Sequence, residues 1–234
     1  MDGMSRKGFI FDYGGTLDTG GCHWGRLIGN TYRDCGVPVS NELYREAYVH
    51  GERTLAKHPI IQSHFTFYQT LQEKLRLQMA YIDEHQSGEP VSPYLDRVLQ
   101  ALYGSVKAET AHSAQVLHRL AQDYPMVLVS NFYGNIHCVL REMGMEGIFQ
   151  EVIESAVVGV RKPDPQIFML GCKALQMEPA EVTVVGDSYD KDIVPAHSIG
   201  CQTVWFKGPG WTDEEPDGKA ATRIIYGIEE LLEQ

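Results

Sequence analysis

The sequence predicts an α/β fold with a Rossmann-like, three-layer core, in which helices cover both faces of a parallel sheet. Short apolar segments alternate with helical stretches through most of the chain, and this alternation is typical of parallel sheets. Residues 20–107 break the alternation, because helical periodicity replaces the short apolar segments there. We therefore expect a core domain formed by residues 1–19 and 108–234, and a mostly helical cap domain, residues 20–107, inserted after the first strand.

The first strand is predicted at residues 7–12 (KGFIFD), where an apolar run is followed by a glycine-containing turn. Further apolar runs that we interpret as strands lie at 126–130, 152–153, 157–160, 182–185 and 202–206. The helical stretches of the core are predicted at 108–122, 133–143, 165–176, 190–199 and 227–233. In the inserted block, the apolar residues between Phe67 and Ile82 recur at spacings of three and four, which indicates an amphipathic helix.

Composition and charge exclude several classes of protein. Of the 234 residues, 43% are hydrophobic, which is enough for a packed core and argues against disorder. The formal net charge of −11 would repel a phosphate backbone, so we expect no nucleic-acid partner. No apolar segment approaches the roughly 20 residues that cross a bilayer, so we expect no membrane association. The sequence does not indicate an oligomeric state.

The cysteines and the first residues bear on location. The five cysteines are scattered and form no CxxC pair, a pattern typical of reduced thiols rather than of disulfides or a zinc site. Residues 1–8 are mostly polar and lack the pattern of a signal peptide. We therefore expect a cytoplasmic protein.

Polar side chains follow three of the predicted strands, at the point where each strand ends. Asp12 follows the first strand, Ser130 and Asn131 end the second, and Asp187 follows a later one. In an open parallel sheet, residues at the carboxyl ends of the strands converge on one crevice. Lys162 would join them from the loop before a helix. The sequence therefore predicts a polar site at this edge of the sheet.

Four segments resemble, in order, the four motifs of the haloacid dehalogenase (HAD) superfamily. They are FIFDYGGTLD at 9–18, Ser130-Asn131, Lys162 within RKPDP, and VGDSYDKDI at 185–193. The helical block at 20–107 lies where the capped subgroup of this family, with its C1-type helical cap, carries a mobile cap. The chain thus resembles a capped HAD-like hydrolase.

The resemblance implies a Mg²⁺-dependent hydrolase that acts on a small phosphorylated metabolite. Asp12 would be the nucleophile that attacks phosphorus and forms an aspartyl intermediate. The metal would be bound by Asp12, by the backbone carbonyl of Gly14 and by Asp187, because Mg²⁺ prefers hard oxygen ligands.

The resemblance also assigns supporting residues. Ser130, Asn131 and Lys162 would bind the phosphoryl oxygens, and Lys162 would thereby take part in catalysis. Asp192 would lie behind the metal ligands, where it would hold a water on the metal or Lys162. Thr16 would cap the turn after the first strand with its hydroxyl.

One position departs from the phosphatases of this family, which carry a second Asp two residues after the nucleophile. This chain has Gly14 there. The family's Asp protonates the leaving oxygen and then activates water, a contribution of about 10²–10⁴ in rate. Asp18 is a nearby acidic residue in sequence, but we expect it to point into the linker to the cap.

Gly14 leaves three alternatives open. The chain could be a catalytically lapsed relative that binds a phosphorylated ligand or a partner. It could be a dehalogenase-type enzyme, in which the aspartate attacks carbon without a metal. It could also cleave phosphonates through an imine on a cap lysine, for which Lys57 is the candidate.

Overall fold

The computed structural model of the chain describes residues 7–212 and 216–233. Its strands are β1 (Gly8–Phe11), β2 (Met126–Ser130), β3 (Glu151–Glu154), β4 (Val182–Gly186), β5 (Gln202–Phe206) and β6 (Arg223–Ile225). They form one six-stranded sheet in the order β3-β2-β1-β4-β5-β6, and every neighbouring pair is parallel. The predicted α/β fold is confirmed.

Four long helices lie between β1 and β2. They are α1 (Trp24–Asp34), α2 (Asn41–Lys57), α3 (Phe67–His85) and α4 (Leu95–Leu120). Helix α3 begins with a capping box, in which the Thr66 hydroxyl accepts the backbone N–H of Gln69 and the Gln69 side chain accepts that of Thr66. The 26-residue helix α4 continues through position 107, so the predicted division into a core and a cap domain stays a prediction.

The remaining helices are shorter and lie among the later strands. They are α5 (Ile136–Glu142), α6 (Ser155–Val158), α7 (Gln166–Leu175) and α8 (Val194–Ser198), together with a π-helical turn at Tyr189–Ile193 and 3-10 turns at Ser92–Tyr94, Pro179–Glu181 and Ile228–Leu232. No helix in the described ranges 7–212 and 216–233 combines the length and apolar character that a membrane crossing requires.

The central strand β1 shows why the sheet must be covered on both faces. Successive side chains of a strand point to opposite faces, and here all of them are buried. Phe9 and Phe11 belong to one apolar cluster, which includes Leu117 of α4. Ile10 belongs to a second cluster, which includes Phe168 of α7. The sheet therefore forms the middle of three layers, as predicted.

Two predictions about strands were wrong. Residues 157–160 do not form a strand, because Val157 and Val158 end the short helix α6 and Gly159 follows with a left-handed φ of 73°. Both valines are exposed, so their β-branched side chains contribute nothing to the sheet. The sequence analysis also missed β6, which has only three residues and lies at the edge of the sheet.

Helix α7 packs on the sheet at Gly171. A Cβ atom at this position would lie 2.5 Å from Cδ1 of Ile10 and 3.3 Å from Cγ2 of Val129. The glycine thus allows the backbone of the helix to approach the strands closely. Gly104 offers a contrast, because it lies on an exposed part of α4 and a Cβ atom there would meet no atom within 4 Å.

We expect Gly171→Ala to lower the free energy of unfolding by roughly 1–3 kcal/mol, since it overpacks the core. Gly104→Ala should raise it by about 0.5–1 kcal/mol, since alanine is the better helix former. Urea unfolding of the two variants and the wild type measures both effects. A Gly171→Ala variant as stable as the wild type would contradict the close packing described here.

Candidate active site

The three strands at the centre of the sheet bring their terminal polar residues together. Asp12 follows β1, Ser130 ends β2, and Asp187 follows β4. Because β2, β1 and β4 are adjacent and parallel, these residues lie at the same edge of the sheet. The backbone N–H of Asp12 donates to the carbonyl oxygen of Val185 at 3.0 Å, which extends the pairing of β1 and β4 to the nucleophile candidate.

The Lys162 ammonium lies between two carboxylates. Its Nζ is 2.5 Å from Oδ1 of Asp12 and 2.7 Å from Oδ1 of Asp192, and all three side chains are buried. The side chain of Asn131 fixes the backbone of Lys162, because its Nδ2 donates to the lysine carbonyl at 3.0 Å and its Oδ1 accepts the lysine N–H at 2.9 Å. Asn131 therefore positions the residue that faces Asp12.

Thr16 makes contacts beyond the turn that it was expected to cap. Its hydroxyl oxygen lies 2.9 Å from Oδ2 of Asp12 and 3.1 Å from Oδ1 of Asp187. The same oxygen accepts the backbone N–H of Asp187 at 2.9 Å. The hydroxyl thus connects the loop after β1 to the loop after β4.

Two glycines leave room for acidic side chains to lie directly against the backbone of the site. Gly15 has a φ of +103°, and a Cβ atom there would lie 2.5 Å from a carboxylate oxygen of Asp187. A Cβ atom at Gly186 would lie 2.5 Å from Cβ of Asp192. Gly14 differs from both, because the nearest atom to a Cβ there would be Nε1 of Trp24, at 4.0 Å. A Cβ atom at position 14 would therefore meet only ordinary van der Waals contact.

The site contains more negative than positive charge. One carboxylate oxygen from each of Asp12, Asp187 and Asp192 lies within 4.8 Å of the others, whereas Lys162 supplies one ammonium between two of them. Burial raises the pKa of Asp187 well above its usual range, and the charges of Asp12 and Asp192 raise it further. This donor set suits a divalent cation, since Mg²⁺ takes carboxylate oxygens and would offset the repulsion.

Asp192 has partners for both of its oxygens. One accepts from Lys162, and the other accepts the backbone N–H of Ser188 at 3.1 Å. Burial raises the pKa of Asp192 to about 6, and the Lys162 ammonium opposes that effect. For Lys162 itself, burial lowers the pKa, but Asp12 and Asp192 outweigh it and hold the pKa above its usual value. These contacts are those expected of a residue that holds the lysine.

Asp18 contacts both the loop after Asp12 and the start of α1. Its carboxylate is buried and accepts the backbone N–H of Gly15 at 2.6 Å and Nε1–H of Trp24 at 3.1 Å. One of its oxygens is thus held against the loop that follows Asp12, and the other faces the first residue of α1. Burial raises the pKa of Asp18 to about 7, the hydrogen bond from Gly15 opposes this, and the charge of Asp12 adds to it.

A cavity of about 760 Å³ lies over these residues. Its wall combines side chains from the strand ends with side chains from the helical block, namely Asp12, Asp18, Trp24, Glu52, Lys57, Lys74, Ser130, Asn131, Tyr133, Lys162, Asp187 and Asp192 among others. The sequence analysis did not single out Glu52, Lys74 or Tyr133. The sequence did mark Lys74 as unusual, because this charged residue falls on the apolar face of α3 beside Leu71 and Leu75.

A model of the haloacid dehalogenase-like hydrolases matches residues 6–200, more than half of the chain. The chain belongs to the haloacid dehalogenase-like hydrolase family. This confirms the resemblance that the four motifs indicated, whereas membership of the C1-capped subgroup stays a prediction. The fold and the order of the motif residues along the HAD core agree with the assignment.

Several HAD-family proteins are similar to this chain. Glyceraldehyde 3-phosphate phosphatase of Pyrococcus furiosus is 36% identical over 90 residues, which cover 38% of each chain. Phosphoserine phosphatase of Thermus thermophilus is 33% identical over 81 residues, 35% of this chain and 32% of that protein. The matches thus span about a third of the length of these relatives. The magnesium-bound HAD-hydrolase YfnB of Bacillus subtilis has the same fold, with a TM-score of 0.60, 18% identity and 97% of each chain covered.

We expect Lys162→Met to lower the free energy of unfolding by about 3–5 kcal/mol in the presence of a chelator, because it leaves two buried carboxylates without a counter-charge. Added Mg²⁺ should recover part of this loss. Lys173→Met, an exposed lysine on α7, is the matched control. Equal unfolding midpoints in denaturant for the two variants would show that the Lys162 ion pairs do not support the fold.

Proposed function

We propose that this protein is a Mg²⁺-dependent phosphatase that acts on a small phosphorylated metabolite through an aspartyl-phosphate on Asp12. The observation that carries the proposal is the environment of this carboxylate. It is buried at a strand end between the Lys162 ammonium at 2.5 Å and the Thr16 hydroxyl at 2.9 Å, and it lines a cavity. Such a carboxylate suits in-line attack on a phosphoryl group, because the neighbouring ammonium offsets the charge that the two anions bring together.

The reaction has two steps on the same residue. A carboxylate oxygen of Asp12 forms a bond to phosphorus, and the bond from phosphorus to the leaving oxygen breaks with its electron pair on that oxygen. Water then cleaves the acyl phosphate, which releases phosphate and restores the carboxylate. Lys162 remains beside Asp12 and offsets the charge on the phosphoryl oxygens. The Ser130 hydroxyl and the second N–H of the Asn131 amide would bind these oxygens as well.

The acidic residues fit the metal that the family resemblance implies. Asp12, the carbonyl of Gly14 and Asp187 would hold Mg²⁺, while Asp192 would keep Lys162 in place. When bound, the ion would draw charge from the phosphoryl oxygens and help to orient them. The excess of three carboxylates over one ammonium supports this assignment.

Three further observations support the choice of substrate class and location. The cavity is partly covered by α2 and α3, which suits a small molecule better than a macromolecule. Two of the relatives are named as phosphatases of small phosphorylated molecules. The five cysteines are free thiols, in keeping with a reducing cytoplasm.

We expect hydrolysis of p-nitrophenyl phosphate that requires Mg²⁺ and falls to background in Asp12→Asn, because the amide cannot act as the nucleophile. Asp190→Asn is the control, since Asp190 is exposed on the same π-helical turn as Asp192. Phosphate release measures the rates, and acid-quenched mass spectrometry measures the phosphorylated enzyme. Stable ligand binding without turnover in the wild type would favour the lapsed alternative instead.

Gly14 limits the leaving groups that such an enzyme can use. An aryl oxygen leaves without much protonation, whereas an alkyl oxygen needs a proton from a general acid. A Cβ atom at position 14 would meet no close neighbour. We therefore expect Gly14→Asp to raise turnover of alkyl phosphates by about 10- to 1000-fold, with a much smaller effect on aryl phosphates. Gly14→Asn, which adds the same volume without an acid, should give no gain.

Asp18 is the carboxyl group of the cavity wall that could already supply this proton. Its Oδ1 lies 2.6 Å from the backbone nitrogen of Gly15, the residue that follows position 14, where the family's acid is missing. If Asp18 has this role, Asp18→Asn lowers turnover of alkyl phosphates far more than that of aryl phosphates, and Gly14→Asp restores it. An equal loss on both ester classes would show that Asp18 only supports the loop.

A further inference from the structure

An ion pair in the cavity wall has no part in the reaction described above. Nζ of Lys74 on α3 lies 2.8 Å from Oε1 of Glu52 on α2. The Tyr133 hydroxyl donates to the other Glu52 oxygen at 3.2 Å, and the Lys74 ammonium lies 5.3 Å from the centre of the Trp24 ring. All four residues line the same cavity as Asp12.

Lys74 is a buried charge whose partner is only half-buried. The Lys74 side chain is 11% exposed and the Glu52 side chain 34%. Ion pairs contribute little to stability when they are exposed, and even fully buried pairs are often no more stabilising than apolar residues of the same volume. Leu71 and Leu75 already supply apolar contacts on the same face of α3. A charged pair kept at a cavity wall is therefore better explained by a ligand than by packing.

The ammonium of Lys74 is a hydrogen-bond donor rather than a nucleophile. Burial lowers its pKa, but Glu52, followed by Tyr133 and Tyr48, outweighs burial and holds the pKa well above its usual value. Imine formation needs the neutral amine, so a lysine held by a carboxylate at 2.8 Å suits the phosphonate-cleaving alternative less than an exposed lysine does. Lys57, which is exposed at the end of α2 and also lines the cavity, stays the candidate for that reaction.

A short series of contacts connects the pair to the loop after Asp12. The Trp24 ring that faces Lys74 donates from Nε1 to Asp18, and Asp18 accepts the N–H of Gly15. The pair and the nucleophile candidate also share one cavity of about 760 Å³. That size suits a phosphorylated molecule whose phosphoryl group lies at Asp12 and whose remaining atoms extend toward the helices.

We propose that Lys74 and Glu52 form the subsite for the alcohol part of the substrate, and that this part carries uncharged hydroxyl groups, as in a sugar or polyol phosphate. The inference rests on the proposed function. With 2.8 Å between them, the ammonium and carboxylate neutralise each other, and a hydroxyl can accept from Lys74 while it donates to Glu52. A charged group on the substrate would gain no net attraction from this neutral pair, yet it would lose its hydration on entering the cavity.

The wild-type protein tests the substrate class directly. We expect kcat/KM for glycerol 3-phosphate and glucose 6-phosphate to exceed that for phosphoserine and phosphoglycolate by about tenfold or more. The reverse order would overturn the proposal, since it would mean that the subsite accepts a charged group.

Variants of the pair test its role. The double variant Lys74→Met/Glu52→Gln removes both charges, so neither is left buried alone. It should lower kcat/KM for glucose 6-phosphate by about tenfold or more relative to kcat/KM for p-nitrophenyl phosphate, which carries no hydroxyl, and the loss should appear mainly in KM. Glu73→Gln is the control, because Glu73 pairs with Arg76 on the outer face of α3. An equal loss on both substrates would overturn the proposal.

The subsite and the proposed function can fail separately. The assay of p-nitrophenyl phosphate hydrolysis in Asp12→Asn tests the proposed phosphatase activity and does not test the subsite. Calorimetric titration of Asp12→Asn with glucose 6-phosphate measures the subsite without turnover. Weaker binding when Lys74→Met/Glu52→Gln is added supports the subsite, and unchanged affinity overturns it, whether or not the wild type is an active phosphatase.

Discussion

The Lys162 ammonium between Asp12 and Asp192 is the interaction on which the rest of the site depends. A parallel sheet brings the ends of its central strands together, and in this chain those ends carry carboxylates that repel one another. A cation delivered from a separate loop makes their burial tolerable. Asn131 fixes the backbone of that loop, so the β2 end that would contact the phosphoryl group also positions the lysine.

The sequence was informative about the strands that are buried on both faces. β1, β2, β4 and β5 are apolar runs that end at a glycine or a polar residue, and their predicted positions agree with the structure to within a residue or so at each end. Only Val152-Ile153 at the centre of β3 was recognised as a strand, because the first and last residues of β3 are glutamates. Residues 157–160 have strand composition but form a helical turn, and β6 is too short to give a pattern. Composition alone therefore does not distinguish a short strand from a helical turn or a loop.

The core side of the site could be predicted because topology determines it. Residues at the carboxyl ends of adjacent parallel strands must be neighbours, whatever their separation in sequence. No such rule applies to the helical block, where the direction of each face depends on how the helices pack. The pairing of Lys74 on α3 with Glu52 on α2 follows from that packing and could not be read from spacing.

The glycines near the nucleophile candidate differ in how much change they permit. Gly15 cannot accept a side chain, since its backbone is left-handed and Asp187 occupies the space. Gly14 has open space beside it. The backbone and Asp187 thus require glycine at position 15, whereas no close neighbour of a Cβ atom requires it at position 14. The loop beside the nucleophile candidate therefore has one position that geometry keeps fixed and, directly before it, one that is open to redesign.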